Sequence, residues 1–240
     1  MTSNSQTLNS INSKPILRRV VKYLVSITVR PALVRYLSST RTYRYRNIVL
    51  QVPPQVFHPG FFSSTKMLLR YLCTLPLRGR TVLELGAGSG LTAIALAQLG
   101  SEVTATDINE IALGQLQRNA AANDVSLDVR RSDLFGSLTG ERFSLIAINP
   151  PYYKRAPRNE REQAWYCGPK GEYFARLFAQ LGAHLFPDSD VLMVLSDGCD
   201  LEMIHRLAGH HGFTLRCVQR RRNLLETHFI YRIEKTAPDA

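Results

Sequence analysis

From residue 80 onward, short apolar runs alternate with longer segments whose apolar residues recur every three or four positions. The short runs predict β-strands, and the longer segments predict amphipathic α-helices. Strands are predicted at residues 80–85, 103–106, 126–131, 145–148, 191–195, 213–219 and 225–233. Helices are predicted at residues 91–99, 109–122, 171–186 and 200–211, with a further one capped by Ser63 or Ser64 and running through Leu72. The alternation indicates an α/β fold: a doubly wound, mostly parallel seven-stranded sheet with an antiparallel hairpin at its C-terminal edge.

The residues before this pattern are organised differently. Residues 1–13 are rich in Ser, Asn and Thr, and residues 14–38 mix basic and apolar side chains as a basic amphipathic helix does. Residues 41–62 look extended, with a Pro-Pro break and a turn. We therefore predict a basic N-terminal extension over residues 1–45, partly disordered or helical, and one domain over residues 46–240.

Basic charge is concentrated at the N-terminal end of the chain. Residues 1–83 hold 13 Lys or Arg and no Asp or Glu, whereas residues 84–240 hold the other 17 basic residues and all 19 acidic ones. Three functions would use such a segment: contact with nucleic acid, import into an organelle, or association with a membrane surface. The structural alternative is a helix that packs on the core and exposes a solvated basic face.

The cysteines and the longest apolar stretches exclude several classes of protein. Four cysteines are scattered without a C-x-x-C pair, which favours a reducing compartment and argues against zinc. A membrane span needs about 18 apolar residues with few charges, and no stretch of the sequence provides them. We predict a cytoplasmic protein without metal or membrane span, with an organelle as the alternative that the basic N-terminus leaves open.

A glycine-rich turn follows the first strand of the alternating pattern. Residues 81–90 end in glycines at alternate positions, Gly86, Gly88 and Gly90, and a helix follows at once. Such a turn lets a ligand approach the backbone closely, beside the free N–H groups of a helix N-terminus. A dinucleotide fingerprint would need a glycine where Leu91 stands. S-adenosylmethionine is therefore the favoured ligand, and NAD the weaker alternative.

Acidic side chains stand where other predicted strands end. Asp107 could accept hydrogen bonds from two ribose hydroxyls, or it could be an ordinary strand-end cap for the next helix. Asp133, with the backbone N–H of Leu134, could bind the edge of an adenine, although aspartate is also common in plain turns. Ligands of doubly wound sheets bind beyond the carboxyl ends of the strands, so we expect these residues, together with Glu84, to lie close to one another.

The most specific motif is Asn149-Pro150-Pro151-Tyr152, which follows the strand at 145–148. Two prolines make the turn rigid and fix the direction of Asn149. The asparagine carbonyl and a backbone carbonyl beside it form two acceptors, which suit the two hydrogens of a planar –NH2 group. Tyr152 could stack on that group. A plain strand-terminating turn explains the prolines but not Asn149 and Tyr152 together with the glycine turn.

These motifs together resemble the class I S-adenosylmethionine-dependent methyltransferases, whose sheet is Rossmann-like. The resemblance is carried by the run from Leu83 to Gly90, by Asp107, by Ser132-Asp133-Leu134-Phe135 and by Asn149-Pro150-Pro151-Tyr152. Within that family the chain is similar to the NPPY group, which comprises HemK-type protein glutamine methyltransferases and amino-group methyltransferases of adenine or guanine. Ala164-Trp165 also resembles the HemK-type enzymes. Phe57-His58-Pro59-Gly60 stands at their acidic, substrate-proximal segment but contains no acid.

The resemblance implies a role for each motif. The expected cofactor-binding residues are Glu84, Gly86, Gly88, Gly90, Asp107, Asp133, Leu134 and Asn149, and the expected catalytic residues are Asn149, Pro150 and Tyr152. The expected substrate contacts are His58, Pro59, Tyr153, Lys154 and Arg155. The expected activity is methylation of a planar nitrogen, in a release-factor-like protein glutamine or alternatively in an amino group of RNA or DNA. A small activator subunit would be compatible, and a non-catalytic RNA- or cofactor-binding module is the alternative of another class.

Overall fold

The computed structural model describes residues 35–61, 63–223 and 226–236. The helix predicted for residues 14–38 lies outside the described residues, apart from its last four positions. The strands are β1 (Arg41–Tyr45), β2 (Ile48–Val52), β3 (Thr81–Leu85), β4 (Glu102–Asp107), β5 (Asp128–Arg131), β6 (Phe143–Ile148), β7 (Leu185–Ser196), β8 (Phe213–Arg222) and β9 (Thr227–Lys235). The α-helices are α1 (Ser63–Leu72), α2 (Leu91–Gln98), α3 (Glu110–Ala121), α4 (Glu160–Gln163), α5 (Glu172–Leu181) and α6 (Leu201–His210).

Seven strands form the central sheet, in the order β5-β4-β3-β6-β7-β9-β8. The five strands from β5 to β7 pair in parallel, whereas β9 is antiparallel to both β7 and β8. The predicted α/β fold is therefore confirmed, including the antiparallel hairpin at the C-terminal edge. Because the parallel strands all run the same way, the residues that end β3, β4 and β6 meet at one edge of the sheet.

Helices cover both faces of this sheet, which explains the nearly continuous apolar runs of its central strands. Alternate residues of one strand face opposite sides: Val82 packs with α1, α2 and α3, and Leu83 packs with α5 and α6. Leu145 and Ile146 divide in the same way on β6, and all four side chains have no exposed surface. The core therefore fixes the register of the strands, because a shift by one residue would exchange the two faces.

The helix predicted for residues 171–186 is too long at its C-terminal end. It ends at Leu181, a short 3₁₀ turn follows over Gly182–His184, and Leu185 already begins β7. Leu185 pairs with Phe143 of β6, so the strand predicted for 191–195 begins earlier than expected. The apolar pair Leu185 and Phe186 fits a helical period as well as a strand, and only pairing with β6 separates the two.

A separate two-stranded antiparallel hairpin, β1 and β2, precedes the sheet. Ile48, Leu50 and Val52 are buried against the outer sides of α2 and α3. The predicted boundary between the N-terminal extension and the domain, between residues 45 and 46, falls inside this hairpin. It would assign β1 to the extension and β2 to the domain. Residues 53–61 then run from the hairpin towards the start of α1.

The glycine that caps α2 allows a close helix–helix contact. Gly90 has φ +87°, and a Cβ placed on it would lie 2.0 Å from Leu116 Cδ1 of α3. Gly79 has a similar φ of +74° with nothing within 4 Å of the same position, so it is a matched control. Both alanine variants lose about 1–2 kcal/mol to the left-handed backbone. Gly90→Ala should lose about 1–3 kcal/mol more, since it also overpacks the core.

Chemical denaturation of the two variants measures this difference directly. Equal losses for Gly90→Ala and Gly79→Ala would show that the contact with Leu116 relaxes without cost.

Candidate active site

An open cavity lies at the carboxyl ends of the parallel strands. Its wall is formed by the residues that end β3, β4 and β6, by the turn after β5, and by segments from elsewhere in the chain. Those segments are residues 55–57 with Pro59, Thr65 of α1, residues 163–165 and Tyr173 of α5. The motifs expected to bind a cofactor and those expected to hold a target thus share one cavity.

The glycine turn after β3 is held by the end of β4. The N–H groups of Gly86 and Ala87 both donate to the Thr106 carbonyl, at 2.9 Å each. Gly86 and Gly88 have φ angles of +73° and +55°, which L side chains rarely adopt. At Gly86 a Cβ would meet nothing within 4 Å. Glycine is therefore required here by the backbone conformation, which leaves an open backbone surface on the cavity wall.

Asp107 ends β4 and connects the glycine turn to α3. Its Oδ2 accepts from the Gly88 N–H at 2.9 Å, and its Oδ1 accepts from the Asn109 N–H at 2.9 Å. Asn109 in turn caps α3 by accepting from the Ile111 N–H at 3.0 Å. Asp107 also lies on the cavity wall.

Glu84 is a buried acid in the floor of the cavity. Its side chain is 7% exposed, and its Oε2 accepts from the Ala93 N–H of α2 at 2.7 Å. Burial raises the pKa of this carboxyl to about 8, and the nearby Asp107 carboxylate adds to the shift, while the bond from Ala93 opposes it. A cationic group in the cavity would favour the ionised form of Glu84.

The turn after β5 brings a second acid to the cavity. Asp133 is half exposed, and its Oδ2 accepts from Arg176 of α5 at 2.6 Å. Leu134 has φ +52°, and the Ser132 hydroxyl donates to its carbonyl at 2.8 Å. Asp133 and Leu134 both line the cavity, as the sequence predicted for an adenine site. Sequence reasoning missed Arg176, whose guanidinium restricts the direction of the Asp133 carboxylate.

Asn149 leaves β6 at the same edge and is held by a residue from α1. Its Nδ2 donates to the Thr65 Oγ1 at 3.1 Å, and both residues line the cavity. With its nitrogen so engaged, the carboxamide keeps its oxygen free to accept. Thr65 was missed by sequence reasoning: it lies 84 residues from Asn149, and only its place in the first turn of α1 brings it near.

Aromatic side chains surround the part of the cavity beyond Asn149. The rings of Tyr152 and Tyr153 lie 5.0 Å apart, and those of Phe57 and Trp165 lie 5.2 Å apart. The Tyr153 N–H donates to the Trp165 carbonyl at 3.0 Å, which fixes the two segments together. Burial raises the pKa of the Tyr152 hydroxyl above its ordinary value, so the ring stays neutral. These four rings provide flat, apolar walls suited to a planar group.

Three expected substrate contacts do not line the cavity. His58 is buried beside Tyr43 and Phe61, where its Nδ1 accepts from the Gly60 N–H at 3.1 Å. Lys154 forms an ion pair with Asp200 at 2.9 Å, and Arg155 forms one with Glu162 at 3.0 Å. Pro59 and Tyr153 lie on the cavity wall, and the role of His58, Lys154 and Arg155 as substrate contacts stays a prediction.

Gly90, another expected cofactor contact, has a packing role in the structure. It is absent from the cavity wall, and its missing side chain makes room for Leu116 instead. The alternating glycines therefore serve two purposes: Gly86 and Gly88 shape the ligand surface, and Gly90 allows α2 to pack against α3.

The described residues also bear on the metal and membrane predictions. Within residues 35–61, 63–223 and 226–236, no three His, Cys, Asp or Glu side chains gather as metal ligands would. No helix in the same part of the chain has the length and apolarity needed to cross a bilayer. The cytoplasmic location stays a prediction.

A comparison with protein families decides what kind of domain this is. Residues 48–208 match the sequence profile of the methyltransferase small domain. The chain belongs to this family. The predicted family is thereby confirmed. S-adenosylmethionine is the cofactor that the predicted resemblance implies for this cavity. The site fits that molecule: Glu84 offers a buried carboxylate to its ammonium group, Gly86 and Gly88 offer open backbone, and Asp107 offers acceptors for ribose hydroxyls.

Curated relatives share the central part of the chain. A Methanocaldococcus jannaschii protein named "Putative protein N5-glutamine methyltransferase" is 36% identical over 117 residues, which cover 48% of this chain and 55% of the relative. Ribosomal RNA small subunit methyltransferase C of Pasteurella multocida is 33% identical over 128 residues, covering 48% of this chain and 38% of the relative. The chain thus spans about half the length, or less, of the curated relatives it matches.

Solved structures show the same fold at lower identity. The E. cuniculi Mtq2–Trm112 complex, described as methylating the eRF1 translation termination factor, has a TM-score of 0.60 at 21% identity, covering 76% of this chain and 99% of that one. The T. thermophilus 16S rRNA methyltransferase RsmC, solved with AdoMet and guanosine, has a TM-score of 0.61 at 22% identity, covering 82% and 50%. At this level of identity the likeness supports the fold.

The raised pKa of Glu84 predicts a specific pH dependence of stability. In the unfolded chain this carboxyl titrates near its ordinary value of 4.5, and in the folded protein near 8, so the folded state binds more protons between these values. The free energy of unfolding of the ligand-free protein should therefore fall as pH rises through this window. Glu84→Gln should remove that part of the decline, as measured by urea denaturation across the pH range.

Glu234 of β9 provides the control for this measurement. Its carboxyl pairs with Arg216 at 2.6 Å, which holds its pKa below the ordinary value. Glu234→Gln should leave the decline between pH 4.5 and about 8 in place. If wild type and Glu84→Gln give parallel pH profiles, Glu84 does not titrate in this range.

Proposed function

We propose that this protein is an S-adenosylmethionine-dependent N-methyltransferase that acts on the planar –NH2 group of an amide or an aromatic amine. The observation that carries the proposal is the Asn149 carboxamide, oriented by Thr65 on the cavity wall. The glycine turn and the rings of Tyr152 and Trp165 line the same cavity. This arrangement supplies acceptors for an –NH2 group and flat surfaces for the plane to which that group belongs.

The chain's own residues contribute binding and orientation. The Asn149 Oδ1 and the Pro150 carbonyl would each accept one hydrogen of the target –NH2, which fixes the nitrogen and draws its lone pair out of conjugation. S-adenosylmethionine, when bound, supplies an electrophilic methyl group on a sulfonium. Correct placement of the nitrogen towards that methyl group lowers the activation barrier by orientation alone. In well-aligned intramolecular reactions this effect reaches roughly 7–11 kcal/mol.

The first candidate substrate is a glutamine side chain of a protein of the release-factor type. Two observations support it: the M. jannaschii relative carries a protein N5-glutamine methyltransferase name, and Trp165 stands on the cavity wall in the segment that resembles the HemK-type enzymes. A glutamine amide is planar and offers two hydrogens, which match the two acceptors beside Tyr152. The likeness to the Mtq2–Trm112 complex makes a second, small subunit a candidate partner.

The second candidate substrate is an amino group of a base in RNA or DNA. It is favoured by the absence of any Asp or Glu before Glu84, since an acid-free basic segment attracts phosphates. Arg220, Arg221 and Arg222 add exposed positive charge at the carboxyl end of β8, which is the sheet edge that carries the cavity. We propose that the basic residues before the domain contact the macromolecular substrate.

One assay separates these candidates from each other and from a non-catalytic binding module. Radiolabelled methyl transfer to a whole-cell extract, followed by protease or nuclease digestion, assigns the label to protein or to nucleic acid. Protease-sensitive label supports the glutamine candidate, and nuclease-sensitive label supports the base. Absence of label with a folded, cofactor-binding protein would support the binding module.

The cofactor site is tested by Asp107→Ala. The variant loses an acceptor for the ligand and the bond that holds the Gly88 N–H, so cofactor affinity should fall by on the order of 1–3 kcal/mol. Calorimetric titration with S-adenosylmethionine measures the change, and Asp128→Ala, an exposed acid of β5 that pairs with Arg130, serves as the control. Unchanged affinity in folded Asp107→Ala would remove this residue from the site.

The target site is tested by Asn149→Ala, which should bind the cofactor normally and lose about a hundredfold or more in single-turnover methyl transfer. Thr65→Val keeps the shape of Thr65 but removes the oxygen that orients Asn149, so it should lower the same rate constant, and Thr65→Ser should restore it.

Tyr152→Phe should lower the single-turnover rate less than Tyr152→Ala does, because packing on a planar group needs the ring. A wild-type rate in Asn149→Ala would show that Asn149 does not hold the target and that the Pro-Pro turn has only a structural role.

A further inference from the structure

The glycine turn is also held from outside the cavity, by an asparagine of α3. The Asn119 side chain is 2% exposed, and its Nδ2 donates to the Ser89 carbonyl at 2.9 Å. Ser89 stands between Gly88 and Gly90, so this bond fixes the glycine turn one residue after the Gly88 N–H that donates to Asp107. Asn119 does not line the cavity itself.

The same carboxamide binds the backbone of the β1–β2 hairpin. Its Oδ1 accepts from the Gln51 N–H at 2.9 Å, and its Nδ2 donates to the Gln51 carbonyl at 3.0 Å. Gln115 Nε2 completes the set by donating to Oδ1 at 3.0 Å. A carboxamide has two donor hydrogens and two acceptor positions, and Asn119 uses all four. One buried group therefore ties the hairpin to the glycine turn.

Asn123, four residues further along the chain, binds β2 in a similar way, and its Nδ2 also donates to the Asn119 carbonyl at 2.7 Å. It exchanges the same pair of bonds with Val49, accepting from its N–H at 2.9 Å and donating to its carbonyl at 2.8 Å. Val49 and Gln51 are two residues apart on β2, so both present their backbone groups on the same side. The two asparagines together replace a neighbouring strand for β2. Asn119 alone also reaches the glycine turn, which makes Asn123 a matched control.

We infer that Asn119 is a positioning residue that couples the docking of the hairpin to the shape of the glycine turn, and thereby to cofactor affinity. The coupling follows from the shared group: the Nδ2 that holds the Ser89 carbonyl is oriented by the bonds that its carboxamide makes to Gln51. Displacing the hairpin frees Asn119 to turn away, and binding that orders the turn strengthens the hold on the hairpin, since such coupling is reciprocal. The inference rests on the cofactor binding of the proposed function.

Calorimetric titration of the full chain with S-adenosylmethionine tests the coupling. Asn119→Ala should raise the dissociation constant about tenfold, the effect expected when one buried hydrogen-bond partner is removed. Asn123→Ala weakens hairpin docking but keeps the bond from Asn119 to Ser89, so it should lower the melting temperature and raise the dissociation constant clearly less than Asn119→Ala does. Unchanged affinity in folded Asn119→Ala, or an equal loss in Asn123→Ala, would overturn the inference.

Hydrogen exchange of the wild-type protein gives a second reading that needs no variant to fold. Saturating S-adenosylmethionine should slow exchange of the Gln51 N–H, which lies on the far side of Asn119 from the cavity. Slower exchange at Gly88 with no change at Gln51 would overturn the coupling. Failure of the wild type to bind S-adenosylmethionine at all would instead remove the proposed function, so the two outcomes are distinguishable.

Discussion

The hydrogen bond between the Asp107 carboxylate and the Gly88 N–H is the contact on which the site depends. The chain leaves β3 in a left-handed conformation that belongs to no helix or strand. The backbone N–H groups of this turn find their hydrogen-bond acceptors on the neighbouring strand β4. Thr106 and Asp107 can do so because β3 and β4 pair in parallel, with Leu85 opposite Thr106. The packed sheet thereby fixes a backbone turn at its edge before any ligand arrives, which reduces the entropy lost on binding.

The other half of the cavity is built by segments outside the sheet. Residues 55–59 and α1 precede β3 in the chain, yet they contribute Phe57, Pro59 and Thr65 to the wall beside Asn149. The Phe57 ring lies 5.2 Å from that of Trp165, and the Trp165 segment is hydrogen-bonded to Tyr153. In the proposed function, cofactor binding and target orientation therefore have different structural origins. The sheet edge provides the first, and the segment that joins the hairpin to the sheet provides much of the second.

This division explains why the hairpin bears on function although none of its own strand residues lines the cavity. Its β2 strand is attached through Asn119 of α3 and through Asn123, just beyond the end of that helix, which starts at Glu110 shortly after Asp107. The segment that carries Phe57 continues from β2, so its position depends on the same attachment. Buried carboxamides suit this role, because one that satisfies four backbone and side-chain groups fixes their relative positions and is costly to disturb.

The sequence by itself determined the order of strands and helices, the glycine turn, and the acids and the Asn-Pro-Pro-Tyr motif at the strand ends. These features depend on local periodicity and on backbone preferences of glycine and proline, which act within a few residues. Only the tertiary structure decided that Leu185 belongs to a strand, that Gly90 makes room for Leu116, and that Lys154 and Arg155 are engaged by Asp200 and Glu162. It also revealed Thr65 and Asn119, whose partners lie 84 and 68 residues away along the chain. Such pairings follow from the packing of whole elements, and no local pattern in the chain records them.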